Sequence, residues 1–158
     1  QDPDLPGIPF YFLRVDVAGN ISKRFSLSGI EIPRYGGACP RWNVYSAFSR
    51  TGVIQAAVSK MTNGEKYVCI ARTVEKGVGR YGQKKSMLSI GLGCEAKYAK
   101  DFVYTENLDL NDKKSELPIG VSCRTCDRLD CSQRAFPPLH KKFDIDINSR
   151  GVSVYVSE

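Results

Sequence analysis

Residues 10–29 read FYFLRVDVAGNISKRFSLSG. Apolar and aromatic side chains alternate with charged ones on both sides of Ala18-Gly19-Asn20. A period of two broken by a glycine-containing turn predicts an antiparallel hairpin with one face toward a core. A second strand pair follows the same logic. VIQAAVS (53–59) and KYVCIARTV (66–74) flank MTNGE, whose Asn63-Gly64 favours a tight turn. The glycine-rich basic run KGVGRYGQKK (76–85) then leads into another strand, SMLSIGLG (86–93).

The segments between strands read differently. IEIPRYGGACPRWN (30–43) carries too much Gly and Pro for a regular element. VYSAFSRTG (44–52) has helical spacing at Val44 and Phe48 with a stop at Gly52. CEAKYAKDFVYTE (94–106) puts Ala96, Ala99 and Val103 on one side of a predicted helix. Residues 107–118 read as polar linker, and a short helix is expected through DCSQRAF (130–136), closed by Pro137 and Pro138. FDIDI (143–147) and VSVYV (152–156) around NSRG suggest a terminal hairpin. The order β-β-α-β-β-β-α predicts an α+β domain built on an antiparallel sheet with a few helices. It is sensor-domain-like, in the general layout of PAS and GAF domains, with a C-terminal cysteine-rich metal-cluster segment. Two units are expected, residues 1–110 and residues 111–158.

The chain has 158 residues, 42% hydrophobic and 25% charged, which suits a soluble globular domain. It holds no run of about 18 apolar residues that would span a bilayer. The start, QDPDLPGIPF, has neither an initiator Met nor the basic-then-apolar order of a signal peptide, as expected of an excised domain. The net charge of +6 is uneven: residues 1–80 hold eleven Lys and Arg against six acids, residues 81–158 twelve against eleven. A basic half points to an anionic partner. The basic residues are scattered among glycines and aromatics, which favours a phosphate pocket over a DNA-binding stripe.

The six cysteines are concentrated, three of them in SCRTCDRLDCSQRAFPP (122–138) as C-x2-C-x4-C. A secreted disulfide scaffold would disperse them, and Cys69 lies in an apolar strand where a reduced thiol is usual. A reducing cytoplasm follows as the expected compartment. Cys123, Cys126 and Cys131 supply three thiolates, one short of the four that structural zinc or an iron–sulfur cluster takes. For zinc, His140 is a possible fourth ligand. For an iron–sulfur cluster the candidates are Cys94, after Gly-Leu-Gly, and Cys39, before Pro40. Cys94 is preferred, because a strand-to-helix junction would offer backbone N–H groups and a favourable dipole to its thiolate. Arg124, Arg128 and Arg134 would offset the negative charge of such a centre. A zinc staple remains the alternative, whereas a thioredoxin-type C-x-x-C lacks its βαβ context.

The candidate ligand contacts are Lys23, Arg24, Phe25, Arg34, Gly36, Gly37, Arg41, Trp42, Arg72 and Arg80, with Tyr35, Tyr81, Lys84 and Lys85 nearby. Charges bind phosphates, aromatic faces stack on a base, and glycines let backbone approach a ligand. No P-loop or G-x-G-x-x-G is present, and no acid/base pair or nucleophile motif suggests an enzyme.

RVDVAGNISKRFS (14–26), RYGGACPRWNVYSAF (34–48), CIARTV (69–74), IGLGCE (90–95) and PIGVSCRTCDRLDCSQRAFPP (118–138) closely resemble the C-terminal domain of bacterial short-chain fatty acyl-CoA regulators. That family includes regulators of propionate catabolism and the methylcitrate cycle. The likeness runs from about residue 9 to residue 138. It implies a non-enzymatic, homo-oligomeric sensor of CoA or short acyl-CoA, with DNA bound by a separate N-terminal helix-turn-helix domain. It also implies a [4Fe–4S] cluster on Cys123, Cys126 and Cys131, with Cys94 as the fourth ligand and Cys39 its rival. The runner-up reading is a zinc-stapled module that touches nucleic acid or protein directly.

Overall fold

The computed structural model describes residues 7–77, 81–82, 85–106, 108–110 and 112–140. Arg80, Lys84 and the expected hairpin over 143–156 lie outside the described residues. Six strands form one sheet: β1 Tyr11–Asp16, β2 Ile21–Ser26, β3 Gln55–Lys60, β4 Lys66–Lys76, β5 Ser86–Glu95 and β6 Glu116–Pro118. Their spatial order is β2-β1-β5-β4-β3-β6. All neighbours are antiparallel except β3 and β6, which run parallel. The fold is α+β, with few and short helices, as the strand pattern implies.

The first hairpin forms where its alternation places it. Gly19 takes φ +87°, a conformation open to glycine, while Asn20 donates through its backbone N and Nδ2 to the Asp16 carboxylate at 2.9 and 3.0 Å. These bonds hold Asp16 below the ordinary carboxylate range, the Asn20 side chain contributing most. Tyr11, Leu13 and Val15 point into the main core, and the last two are fully buried. Each such aliphatic side chain contributes about 1.5–3 kcal/mol by leaving water.

The single α-helix among the described residues, α1, spans only Asn43–Ser46 and continues as a 3₁₀ turn over Ala47–Ser49. It packs on the sheet face that also carries Tyr11, Leu13, Tyr67, Cys69 and Ala71. Gly91 and Gly93 make room for it. A Cβ on Gly91 would sit 2.3 Å from Val44 Cγ1, and one on Gly93 would sit 2.5 Å from the Tyr11 ring. The Gly-Leu-Gly of β5 is therefore a packing floor. Its register sets Gly93 opposite both Tyr11 and Cys69.

Three local expectations are corrected. The helix expected from Cys94 to Glu106 is replaced by the end of β5 and two 3₁₀ turns, Ala96–Asp101 and Val103–Thr105. Those turns lay Ala99 and Phe102 on Val68, forming a second, smaller core on the opposite sheet face. The supposed linker contains β6, whose Glu116 carboxylate pairs with Lys66 and, at 3.5 Å, with Lys60. The helix expected through 130–136 is a set of turns, and the regular element in the cysteine segment is a 3₁₀ turn at Cys123–Thr125.

Candidate functional site

After β6 the chain passes through Ile119, Gly120 and Val121 into the cysteine segment. Each of these three residues is held by a different group. The Ile119 N–H donates to Lys60 O at the end of β3 (2.9 Å) and the Trp42 indole N–H to Gly120 O (2.7 Å). The Cys39 N–H donates to Val121 O at 3.0 Å. The Gly36-Gly37-Ala38-Cys39 loop and the cysteine segment are thus fastened to the same short strap.

That fastening ties the loop of Cys39, and not the strand of Cys94, to the segment that carries the trio. Cys39, Cys123 and Cys126 are all buried, and the Cys39 N–H bond to Val121 O ties its loop to the strap that leads into Cys123. Burial pushes the Cys39 thiol up, while backbone N–H groups at Gly120 and Arg41 act to hold it down. Cys94 pairs with Val68 across β4 and β5, so its side chain shares the Val68 face, opposite the face that carries Cys39 and Trp42. No helix N-terminus stands at Cys94, because β5 runs on to Glu95. Burial first, then Cys69, Glu95 and Asp101, raise its thiol to about 11. Cys69 is a core thiol, bonded to Ser59 Oγ and Ala57 O at 3.4 Å.

The segment's own geometry centres on Arg134, which is buried. Its guanidinium donates to the carbonyls of Cys123 (2.9 Å), Cys126 (3.0 Å), Phe136 (3.3 Å) and Arg128. Arg128 donates through Nη2 to Lys60 O and Ile119 O at 3.3 and 3.4 Å. His140 engages Asp127, on the exposed side of the segment, so it does not join the thiols.

Among the described residues no three or more His, Cys, Asp or Glu side chains converge as a ready metal site. The donor chemistry nevertheless suits a thiolate-bound cluster. All six cysteines are free, and the Ala135 N–H donates to Cys123 Sγ at 3.4 Å. A Cβ on Gly120 would lie 3.2 Å from Cys126 Sγ, close enough that the sulfur would have to give by a few tenths of an ångström. Arg41 and Arg128, each two residues from a cysteine of the group, carry a buried Nε with no protein acceptor. Cys131 is half-buried, and its carbonyl accepts the Arg134 N–H at 3.2 Å.

Among the described residues the other expected contacts do not form one pocket. Lys23 and Phe25 project from β2 on the same face as Arg14 and Phe12, their register partners, and Arg72 joins that face through Ile90. Arg24 is on the other side, donating to Pro33 O at 2.7 Å, and lines a shallow depression with Phe25 and Arg34. Trp42 is a core residue, 3% exposed and packed against Tyr11 with ring centroids 6.3 Å apart, so it offers no face to a ligand. Arg41 is half-buried beside it. Gly36 and Gly37 line a cleft of ≈ 380 Å³ whose far wall includes Cys123, Arg124 and Phe136. Arg124 and Phe136 were absent from the expected ligand contacts. The signal for them lay in the Arg and the Phe-Pro-Pro that bracket the cysteines.

The family model for short-chain fatty acyl coenzyme A regulators, C-terminal, matches residues 1–155. The chain is 46% identical over 158 residues to the HTH-type transcriptional regulator RamB of Mycobacterium tuberculosis H37Rv, covering 99% of this chain and 33% of that protein. It is 44% identical over 155 residues to the propionyl-CoA carboxylase regulator of Cereibacter sphaeroides, covering 98% and 33%. A solved Mycobacterium tuberculosis transcriptional regulator shares 39% identity at a TM-score of 0.86, over 96% of this chain and 46% of that one. The chain spans about a third of the length of these curated relatives. The relatives are transcriptional regulators, not enzymes. Among the described residues no helix is long and apolar enough to cross a membrane.

Proposed function

The chain belongs to the short-chain fatty acyl coenzyme A regulator family, as its C-terminal domain, and on that premise we propose that it is an effector domain holding a [4Fe–4S] cluster and answering to CoA or a short acyl-CoA. Cys123, Cys126 and Cys131 are the proposed ligands, with Cys39 in the fourth position. The observation that carries this is that the loop with buried Cys39 and the segment with buried Cys123 and Cys126 are fastened to one short strap, with all thiols free and the Ala135 N–H directed at the Cys123 sulfur. When bound, the cluster supplies a covalent tie between the 36–42 loop and the cysteine segment, and a centre that oxidation can dismantle.

The protein's own part is orientation. Arg134 draws four carbonyls inward and so fixes the turn that presents Cys123 and Cys126. CoA is the proposed effector because the family's name and its propionyl-CoA carboxylase regulator point to acyl-CoA metabolism, and because the first half of the chain is basic. Control of homo-oligomerisation and of DNA binding by a separate helix-turn-helix domain completes the proposal. It requires the effector to bind two assembly states with different affinity. Iron and acid-labile sulfide are measured on anaerobically purified protein, beside calorimetric titration with CoA and propionyl-CoA. Near-stoichiometric iron and sulfide, with absorbance near 400 nm, is the expected result. Colourless protein with one zinc per chain would overturn the cluster.

A further inference from the structure

The sheet face opposite α1 is covered at one end only. There the 3₁₀ turns and Leu108 and Leu110 lie over Val68 and Ile70 to form the second core. Beyond that core the same face continues as three rows set by the strand register. Phe25, Phe12 and Leu92 stand side by side in the first row, next to Ile70. Lys23, Arg14, Ile90 and Arg72 make the second, and Leu88 and Val74 the third. Phe12, Leu88, Ile90, Leu92 and Val74 are half-buried and belong to neither core, and Phe25 is 58% exposed. Four strands and three rows make a patch of about 14 by 13 Å. One α-helix, about 10–12 Å wide, covers it in about three turns.

The middle row decides the chemistry of the cover. Among the described residues Arg14, Lys23 and Arg72 take part in no ion pair. Arg14 donates through Nε to Ser22 Oγ at 2.8 Å, and the nearby Asp16 carboxylate is occupied by Asn20. Covering these cations with apolar surface alone would desolvate them without a counter-charge, which is costly. A second copy laid face to face would set the same cations against themselves. A nucleic-acid backbone would neutralise them yet gain nothing from the two apolar rows.

We propose that this face docks an acidic amphipathic helix from the part of the regulator that lies outside these 158 residues. Its apolar stripe meets the Phe12 and Leu88 rows, and its carboxylates meet Lys23, Arg14 and Arg72. This chain covers 33% of each curated relative, so in such regulators about twice its length has to be held to it. β5 carries the patch on one face and, at Gly91, the close approach of α1 on the other. A helix docked here therefore lies one sheet thickness from α1. The proposal rests on family membership and not on CoA being the effector.

The test is zero-length carbodiimide cross-linking of the full-length regulator that carries this chain, as a mixture of unlabelled and isotope-labelled copies, read by mass spectrometry. The reagent joins lysine amines to carboxylates that touch them, so the Lys66–Glu116 pair serves as an internal standard for the fold. The expected result is that Lys23 links to Asp or Glu outside these 158 residues, within one copy. Arg72→Glu, at an exposed position, and Phe25→Ser lose those links and keep the Lys66–Glu116 link. Lys23 links formed only between labelled and unlabelled copies assign the face to a second copy and overturn the proposal. Lys23 links confined to carboxylates of these 158 residues, or no links, overturn it as well, as do links indifferent to both substitutions. Duplex DNA that abolishes the Lys23 links at low salt makes the face a nucleic-acid surface, with the same consequence. No step uses CoA or the cluster, so each of these failures leaves the effector reading standing.

Discussion

Replacing Trp42 by Phe separates two roles that one aromatic residue in a basic, glycine-rich loop can play. As a ligand-stacking residue it would lose affinity with little change in stability. The structure predicts the reverse. The ring is 3% exposed, and its N–H donates at 2.7 Å to Gly120 O, also buried. Phe removes the donor and leaves that carbonyl unsatisfied, at a cost of about 1–3 kcal/mol. The smaller ring leaves a void of roughly 40 Å³, which at about 24 cal/mol per Å³ adds about 1 kcal/mol. The expected loss is therefore about 2–4 kcal/mol. With a urea m-value of about 2 kcal/mol/M, the midpoint falls by about 1–2 M. Far-UV circular dichroism follows the transition, since the only Trp is the residue removed. CoA affinity, measured well below the midpoint, stays within about twofold of wild type. A midpoint shift under about 0.3 M, or an affinity loss without a stability loss, refutes the core assignment.

Cys39→Ser and Cys94→Ser divide the fourth-ligand question. Cys39→Ser is expected to lose iron and the 400 nm band while Cys94→Ser keeps both, and the opposite pattern in iron analysis would reject the assignment. Glu116→Gln tests the tie between β6 and its neighbours. Lys66 first, then Lys60, lowers the Glu116 carboxyl from its ordinary value, so its contribution is present above the unfolded pKa of about 4.3 and is lost as pH falls through the lowered folded value. The variant should melt below wild type at pH 7 and converge with it in strong acid; a gap that persists there would mean packing rather than charge. Gly93→Ala places a Cβ 2.5 Å from the Tyr11 ring and 2.7 Å from Val68 O. About 1–3 kcal/mol or more should be lost in chemical denaturation, whereas Gly37→Ala, with nothing within 4 Å, should stay within about 0.5 kcal/mol. Equal stability of the two variants would contradict the packing described for β5.

The first hairpin was legible because its alternation is local and one face is buried, so any other register would expose Leu13 and Val15. The second pair was legible for the same reason, with Asn63-Gly64 marking its turn. The helix expected at Cys94 was a misreading because Gly-Leu-Gly followed by Cys-Glu-Ala looks like a strand giving way to a helix. What extends β5 through Glu95 is pairing with Tyr67 and Val68, a non-local fact. β6 was missed because three residues carry no period. It exists through parallel pairing with β3, whose Val58 meets Glu116 across 58 positions of sequence. Trp42 was assigned to a ligand because composition cannot tell a buried aromatic from an exposed one. Its partner is 78 residues away.

The cysteine segment is tied to the rest of the fold at several points. A metal staple on a free loop would stabilise only that loop. Here Ile119, Gly120 and Val121 are bonded in succession to the end of β3, to Trp42 and to Cys39, and Arg128 reaches back to the Lys60 and Ile119 carbonyls. Any rearrangement of Cys123 and Cys126 that moves the strap must break one of these bonds or carry the partner along. The partners are α1's N-terminal flank and the β3–β6 edge of the sheet. Coupling by this route is a property of two discrete arrangements of one strap and needs no long chain of contacts. The β3–β6 edge and the 36–42 loop are accordingly where a change at the cysteines must first be felt. Hydrogen exchange should register it at the Ile119 and Cys39 amides before it reaches β1. Loss of protection that begins in the β1–β2 hairpin instead would show that the strap is not the route.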